Sequence, residues 1–288
     1  MQPLHTDASQ LEGGGQLLRN ASALAAGDGS EDKQPLHIDG SQLVGGGQLL
    51  RNASALAAIT GTPIAIDKIR AGRSNPGLRP QHLSGLRLTA ALSGGALEGG
   101  AVKSTAVALR PGRLAAGAHV ADTGTAGSCM LLAQAALPCL LFAAPGPAGG
   151  GRESVLELRG GTDATLAPPL GYLQHVLLPV LGALGVDATV ELVRRGFFPR
   201  GGGVVSLRAE ALPAGGTLPA LTLTQRGRVT RICIRAFTAG KVGAAVGESM
   251  ARAAEAGAAQ GASVSLPFAF SCLPGVSDAL WAPPPAAC

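Results

Sequence analysis

The sequence predicts an α+β protein in which α/β layers are built from a repeated unit of two helices and a small four-stranded sheet. Three observations point there. Strand-like alternation and helical spacing of apolar residues succeed one another twice between residues 36 and 212. Strands return through hairpins as well as helical crossovers, which argues against one doubly wound sheet. With 288 residues, 46% of them apolar, the chain has material for a sizeable core in one large or two ordinary domains.

The elements follow in order along the chain. Residues 36–39 read as a short strand, and the Gly45-Gly46-Gly47 turn leads into a helix marked by Leu49, Leu50, Ala53, Leu56 and Ala57. Gly61 ends that helix, and 63–69 alternates as a strand with Ile64, Ile66 and Ile69 on one face. A second helix is predicted over 80–92, stopped by Gly94-Gly95, and 101–109 reads as a strand closing on Pro111-Gly112. The scheme then recurs, with a helix over 127–143 and a strand over 155–158. Tyr172, Val176, Leu177, Val180, Leu181 and Leu184 form one helical stripe, kinked at Pro179. A hairpin is predicted from 188–193 to 203–208 around Phe197-Phe198-Pro199-Arg200-Gly201-Gly202. Beyond a Gly/Pro join, 221–237 has strand character, 242–259 is an Ala-rich helix, and the chain from 265 reads as a Pro-rich irregular tail.

Residues 2–26 and 34–58 align at an offset of 32 with 22 of 25 positions identical, the differences being Thr6/Ile38, Ala8/Gly40 and Glu12/Val44. Solenoid repeats diverge and need several copies, so two near-identical copies read as a duplicated opening segment instead. Only the second copy runs on into the fold. The domain expectation is therefore a duplicated segment and linker over 1–33, repeat units over 34–114 and 115–212, a further partial domain over 213–264 and the tail over 265–288.

Composition excludes several classes. Gly (43) and Pro (20) are abundant but show no strict period, which rules out collagen. The five cysteines form no CxxC pair and are expected to be buried reduced thiols of an intracellular protein rather than a zinc site or disulfide framework. No signal pattern opens the chain, and its longest apolar run, 130–144, is interrupted by Gln134 and Pro138, so a soluble protein with no membrane partner is expected. The net charge of +5 is carried mostly by arginine, whose planar fork matches phosphate oxygens. No oligomeric state can be read from the sequence.

The densest chemistry lies at 69–82, where Arg70 ends a strand, a Gly-flexed loop carries Arg73 and Arg79, and Pro80-Gln81-His82 open a helix. Guanidiniums converging on a helix N-terminus make an anion site by two mechanisms at once. A solvated basic loop is the plain alternative, but it leaves the Gly/Pro interleaving and the Gln-His start unaccounted for. The Gly45-Gly46-Gly47 turn with Arg51 one turn inside its helix is a second candidate cradle, though neither a P-loop nor a dinucleotide fingerprint. Gly160-Gly161-Thr162-Asp163 and Gly201-Gly202-Gly203 read equally well as tight turns. None of the five histidines sits in a metal or nucleophile spacing, and His82 alone adjoins the arginines.

Together these strings resemble the RNA 3'-terminal phosphate cyclase family: LHIDGSQLVGGGQLLRNASAL, KIRAGRSNPGLRPQHLSGL, ADTGTAGSCMLLAQAALPCLLFA, RGGTDATLAPP and RGFFPRGGGVV, in order across about 36–240. The enolpyruvyl-transferase superfamily shares a comparable repeat architecture but not these motifs. The resemblance implies a large domain of repeated two-helix, four-stranded units interrupted by a small inserted α/β domain, whose start would lie at 213–264. It implies a ligase: a histidine takes AMP from ATP, the AMP passes to an RNA 3'-phosphate, and the neighbouring 2'-hydroxyl closes a 2',3'-cyclic phosphate. ATP, a divalent metal (Mg2+ or Mn2+) and RNA ending in a 3'-phosphate are the implied cofactors and partner, with a nuclear location.

Carried over residue by residue, Arg51, Arg70, Arg73, Gln81 and His82 match positions lining the RNA and phosphate site, and Gln134 and Pro168 match ATP-contacting positions. The family's acidic residue before the glycine turn, which helps hold metal and nucleotide, is Val44 in the contiguous copy and survives as Glu12 in the first. The family's nucleophilic histidine lies in a C-terminal unit after the insert. No histidine follows His175 in this sequence, so no catalytic nucleophile is assigned, and these 288 residues are expected to be inactive in the covalent step. The alternative is a non-catalytic RNA-binding protein akin to the family's ribosome-biogenesis branch, although Arg70-Ala71-Gly72-Arg73 and Pro80-Gln81-His82 resemble the catalytic branch.

Overall fold

A computed structural model describes residues 33–42, 46–146, 150–229, 232–261 and 268–273. The chain divides into two compact units near residue 219, with 192–195 grouped with the second. Residues 36–210 hold two copies of one topology. Strand β1 (Leu36–Asp39), helix α1 (Gly47–Thr60), β2 (Ile64–Asp67), α2 (Pro80–Leu92), β3 (Ala96–Glu98) and β4 (Val107–Arg110) form a sheet in the order β1-β2-β4-β3. Strand β5 (Ala118–Asp122), α3 (Cys129–Leu141), β6 (Glu153–Gly160), helix α4 over 170–183, β7 (Ala188–Arg194) and β8 (Gly203–Glu210) repeat that order as β5-β6-β8-β7. In each copy the first two strands run parallel through a helical crossover, and the second runs antiparallel to its next neighbour. The α/β-layered, α+β class that the sequence predicts is the class observed.

Local chemistry accounts for the elements. Ile64 and Ile66 point into the core while Ala65 and Asp67 point away, the period-2 pattern of a one-sided sheet. Helix α1 ends on Gly61, whose left-handed backbone (φ 61°) returns its N–H to Ala57 O. Helix α3 is buried on nearly every side, with ten of thirteen residues out of contact with water. It packs against α1 and α2 of the first repeat and against β6 and β8 of its own. The longest apolar run of the chain is thus the hub that joins the two repeats. No helix among the described residues is long and apolar enough to cross a membrane.

Several expectations need correction. The strand predicted over 101–109 forms only at its end, as β4, and β3 lies ahead of it: Gly99 (φ 68°) begins the reversal between the two, where a Cβ would lie 2.6 Å from Ala106 O. Strand β5 escaped notice because only Ala121 of its five residues is buried, so no alternation marks it. Helix α4 widens into a π-turn over Leu173–Leu177 just ahead of Pro179, and its expected core stripe leaves Tyr172, Val176 and Val180 exposed. Of the predicted 221–237 strand only β9 (Ile232–Phe237) forms. It leads through α5 (Ala244–Gly261) to β10 (Phe268–Leu273), which pairs parallel with it and so places a strand where an irregular tail was expected. The prolines at 267 and 274 bracket that strand without interrupting it. Cys129 and Cys139 are buried as expected, but Cys233 is exposed on β9. Burial pushes the Cys129 and Cys139 thiols up to about 12, which makes them poor nucleophiles.

Candidate functional site

The arginine loop after β2 is a braced structure. Its ends are the fully buried Ile69 and Leu78, and the backbone between them is tied to the 103–105 segment: Ile69 N–H donates to Thr105 O, Leu78 N–H to Ser104 O, and Lys103 N–H to Leu78 O, at 2.8–2.9 Å. Gly77 (φ 78°) lies against the Lys103 carbonyl, leaving no room for a side chain. Arg70, itself left-handed (φ 55°), reaches across the loop and donates from Nη1 to Asn75 O at 2.6 Å and Gly77 O at 2.9 Å. Arg73 and Arg79 stand exposed on either side.

Arg79 caps α2 in an extended conformation, as a residue before proline prefers, and Pro80 fills the first turn, where its missing N–H costs nothing. One turn in, His82 Nδ1 accepts the Arg79 N–H at 3.2 Å, so the neutral ring carries its proton on Nε2. That edge faces Gly47 at the start of α1: a Cβ on Gly47 would lie 2.7 Å from Nε2. Burial first, then the charges of Arg70, Arg51 and Arg79, pull the His82 pKa down to about 4. Arg51 and Arg70 are themselves lowered, Arg51 by burial and Arg70 by burial followed by Arg79 and Arg73. Neither α1 nor α2 carries an acidic residue in its first turn, and Gly46 offers α1 no side-chain cap. Among the described residues no ion pair joins Arg51, Arg70, Arg73 or Arg79 to a carboxylate.

The structure therefore gathers Arg51, Arg70, Arg73, Gln81 and His82 into one place. Arg51, Gln81 and His82 line a narrow cleft with Gly47, Leu131 and Leu132. Gln81 Oε1 accepts the Ser128 N–H at 2.8 Å, and Ser128 Oγ in turn caps α3 by accepting from Met130 and Leu131. Ser128 was not foreseen, although a serine closing the Thr-Gly-Thr-Ala-Gly turn before an apolar helix is a readable cap signal. Gln134 is exposed on α3, one turn beyond Leu131 and so on the face that borders the cleft. Pro168 sits in the 162–169 loop, closed by Leu170 N–H donating to Thr162 O and begun beside Ser128 through the Ser128–Gly161 bridge. Among the described residues no hydrogen bond ties Pro168 to the arginines. Glu12 and Val44 lie outside the described residues.

A metal fits less well here. Among the described residues no group of three His, Cys, Asp or Glu is spaced to hold one. Asp39, the carboxylate of the first matching string, is engaged by Lys68 at 2.7 Å and by Ser41, contacts that hold it well below the usual carboxylate range.

A family model described as RNA 3'-terminal phosphate cyclase matches residues 42–264, well over half of the chain. The chain belongs to the RNA 3'-terminal phosphate cyclase family. Curated relatives of that name agree. One from Nitrosospira multiformis is 47% identical over 204 residues, covering 71% of this chain and 47% of the relative. One from Ralstonia nicotianae is 41% identical over 230 residues, 80% of this chain and 54% of the relative. One from Korarchaeum cryptofilum is 46% identical over 209 residues, 73% and 49%. The chain spans about half the length of the curated relatives it matches. These relatives include bacteria, so they lend no support to a nuclear location.

Proposed function

We propose that this chain carries the RNA-end site of its family's chemistry in RNA 3'-end processing, the ATP-dependent conversion of an RNA 3'-phosphate into a 2',3'-cyclic phosphate, without supplying the covalent adenylylation step itself. The observation that carries this reading is a cluster of guanidiniums around one neutral histidine, with no carboxylate to balance it among the described residues. Such a cluster repels itself until an anion arrives, and a terminal phosphate dianion supplies charge and oxygens for several forks at once. Arg73 and Arg79 provide charge at the rim. Arg51 and Gln81 border the inner cleft, and His82 presents Nε2–H as a neutral donor. The N-termini of α1 and α2 add to the same pull.

In this reading Gln134 and Pro168 contact ATP from the α3 side. Glu12 would be a ligand of a divalent metal, which would supply charge for adenylylation; the described residues do not themselves form a metal site. These 288 residues hold and orient the RNA end, while none of their histidines takes AMP. His82 is committed to Arg79 through Nδ1 and sits among cations, a poor setting for a nucleophile that must gain positive charge on attack. Incubating the chain with labelled ATP and Mg2+ or Mn2+ is expected to leave no covalent label. An acid-labile, alkali-stable label on the protein would overturn that part of the reading. A chain that binds RNA without preferring a 3'-phosphate would instead fit the non-catalytic, ribosome-biogenesis alternative.

A further inference from the structure

The turn between β7 and β8 carries two side chains that the fold does not use. Phe198 is 88% exposed, and Pro199 and Arg200 beside it are exposed as well. A large aromatic left in water forgoes the burial that places most phenylalanines in cores, so its position asks for a partner. The turn itself is well anchored. Gly201 N–H donates to Phe197 O at 2.8 Å, and Gly196 N–H donates to Thr162 Oγ1 at 3.3 Å. Gly201 is packed so closely on the Thr125 carbonyl that no side chain would fit there.

Through that contact the turn reaches the anion cluster. The 123–128 segment touches Gln81 twice: a Cβ on Gly127 would lie 3.1 Å from Gln81 Cβ, and Ser128 N–H donates to Gln81 Oε1 at 2.8 Å. His82 follows next in the chain. Packed backbone therefore runs without a gap from the Phe198 turn to the residues that face the terminal phosphate. Arg200 stands exposed two residues from Phe198, on the same turn.

We propose that Phe198, with Arg200 beside it, is a stacking platform for a nucleobase of single-stranded RNA upstream of the terminal phosphate held by the arginine cluster. This rests on the phosphate reading of that cluster. An aromatic face accepts any base, and an adjacent guanidinium serves either the phosphate backbone or the base's π-face, which is how strands are gripped with little sequence preference. An exposed aromatic beside an exposed arginine fits a base and its phosphate better than a protein partner, whose contact would bring a broader apolar patch.

The test is fluorescence anisotropy on the full chain with a uridine octamer ending in 3'-phosphate, the same octamer ending in 3'-OH, and uridine 3'-monophosphate as competitor. Phe198→Ala is expected to weaken the phosphorylated octamer about tenfold, the scale of losing one stacked base, and to leave the mononucleotide unchanged. Phe198→Trp is expected to retain octamer binding. In the wild-type chain, one abasic position along the octamer should cost the same factor, and that cost should vanish in Phe198→Ala. Octamer affinity unchanged in Phe198→Ala, or equal losses on octamer and mononucleotide, would overturn the platform. The wild-type ratio of 3'-phosphate to 3'-OH affinity scores the phosphate reading separately. If that ratio is one while Phe198→Ala weakens both octamers, the phosphate reading fails and the platform stands. If no octamer binds, both fail. Because Phe198 is exposed, an unchanged thermal melt checks that each variant is folded.

Discussion

His82 carries the electrostatics of the cluster in one side chain. An unfolded histidine titrates near 6.5, and the folded ring is held down to about 4 by burial and then by Arg70, Arg51 and Arg79. Above pH 6.5 the ring is neutral in both states and stability is at its full value. As pH falls from 6.5 to 4 only the unfolded chain takes up the proton, and stability drains away across that window. After discounting for the part of the ring that meets solvent, the loss is about 1–2 kcal/mol. Urea unfolding at pH 7.5, 6 and 5 is expected to show a smaller slope against pH in His82→Gln than in the wild type; parallel slopes would remove His82 as the cause. The arginines divide differently. Arg70 both faces the site and staples its loop through Asn75 O and Gly77 O, whereas the Arg73 side chain makes no such bond among the described residues. Arg73→Ala is thus expected to weaken RNA ending in 3'-phosphate by about tenfold or more with an unchanged melt, since a hydrogen bond to a charged group is worth roughly 1.5–3 kcal/mol. Arg70→Ala is expected to lose binding and stability together. Equal losses on 3'-phosphate and 3'-OH ends would indicate general backbone contact instead.

At the scale of elements, one glycine fixes how the first sheet is framed. Gly40 follows β1, and a Cβ there would meet Asp67 O at 2.5 Å. The duplicated opening segment carries Ala8 at the matching position and Thr6 where the contiguous copy has the half-buried Ile38. On both counts the second copy is the better match to this place in the sheet. Gly40→Ala is expected to cost about 1–3 kcal/mol and to lower the melting midpoint by about 4 °C or more; a melt identical to wild type would show that the Asp67 carbonyl yields freely. Much of this level was legible in the sequence. Gly61, Pro80 and the apolar spacing marked α1 and α2 because caps and periodicity are local signals. Strands β3 and β5 were not legible, for they are short and mostly exposed, and β5 finds its partner, β6, only a whole helix further along the chain. Ser128 was hidden for a related reason: its cap is local, but its bond to Gln81 spans two repeats. Phe198 was seen only as part of a hairpin turn, because exposure is a property of the folded chain.

Across the whole molecule, one β-α-β-α-β-β topology is used twice, and α3 welds the copies together. That weld brings the starts of α2 and α3 together through Gln81 and Ser128, while His82 on α2 lies against the start of α1, so an excess of arginine in the composition becomes a single anion cluster. The motif strings disclosed its members because arginine, glycine and proline at this spacing have few other uses. They did not disclose that Arg70 is partly spent on its own loop, or that His82 is neutral, since both depend on burial. The most direct measurement of the central claim is the ratio of dissociation constants for one short RNA ending in 3'-phosphate and in 3'-OH, taken on this chain at a single fixed salt concentration. A terminal dianion seated among Arg51, Arg70, Arg73 and His82 predicts at least about tenfold tighter binding of the phosphorylated end. Equal constants would contradict it.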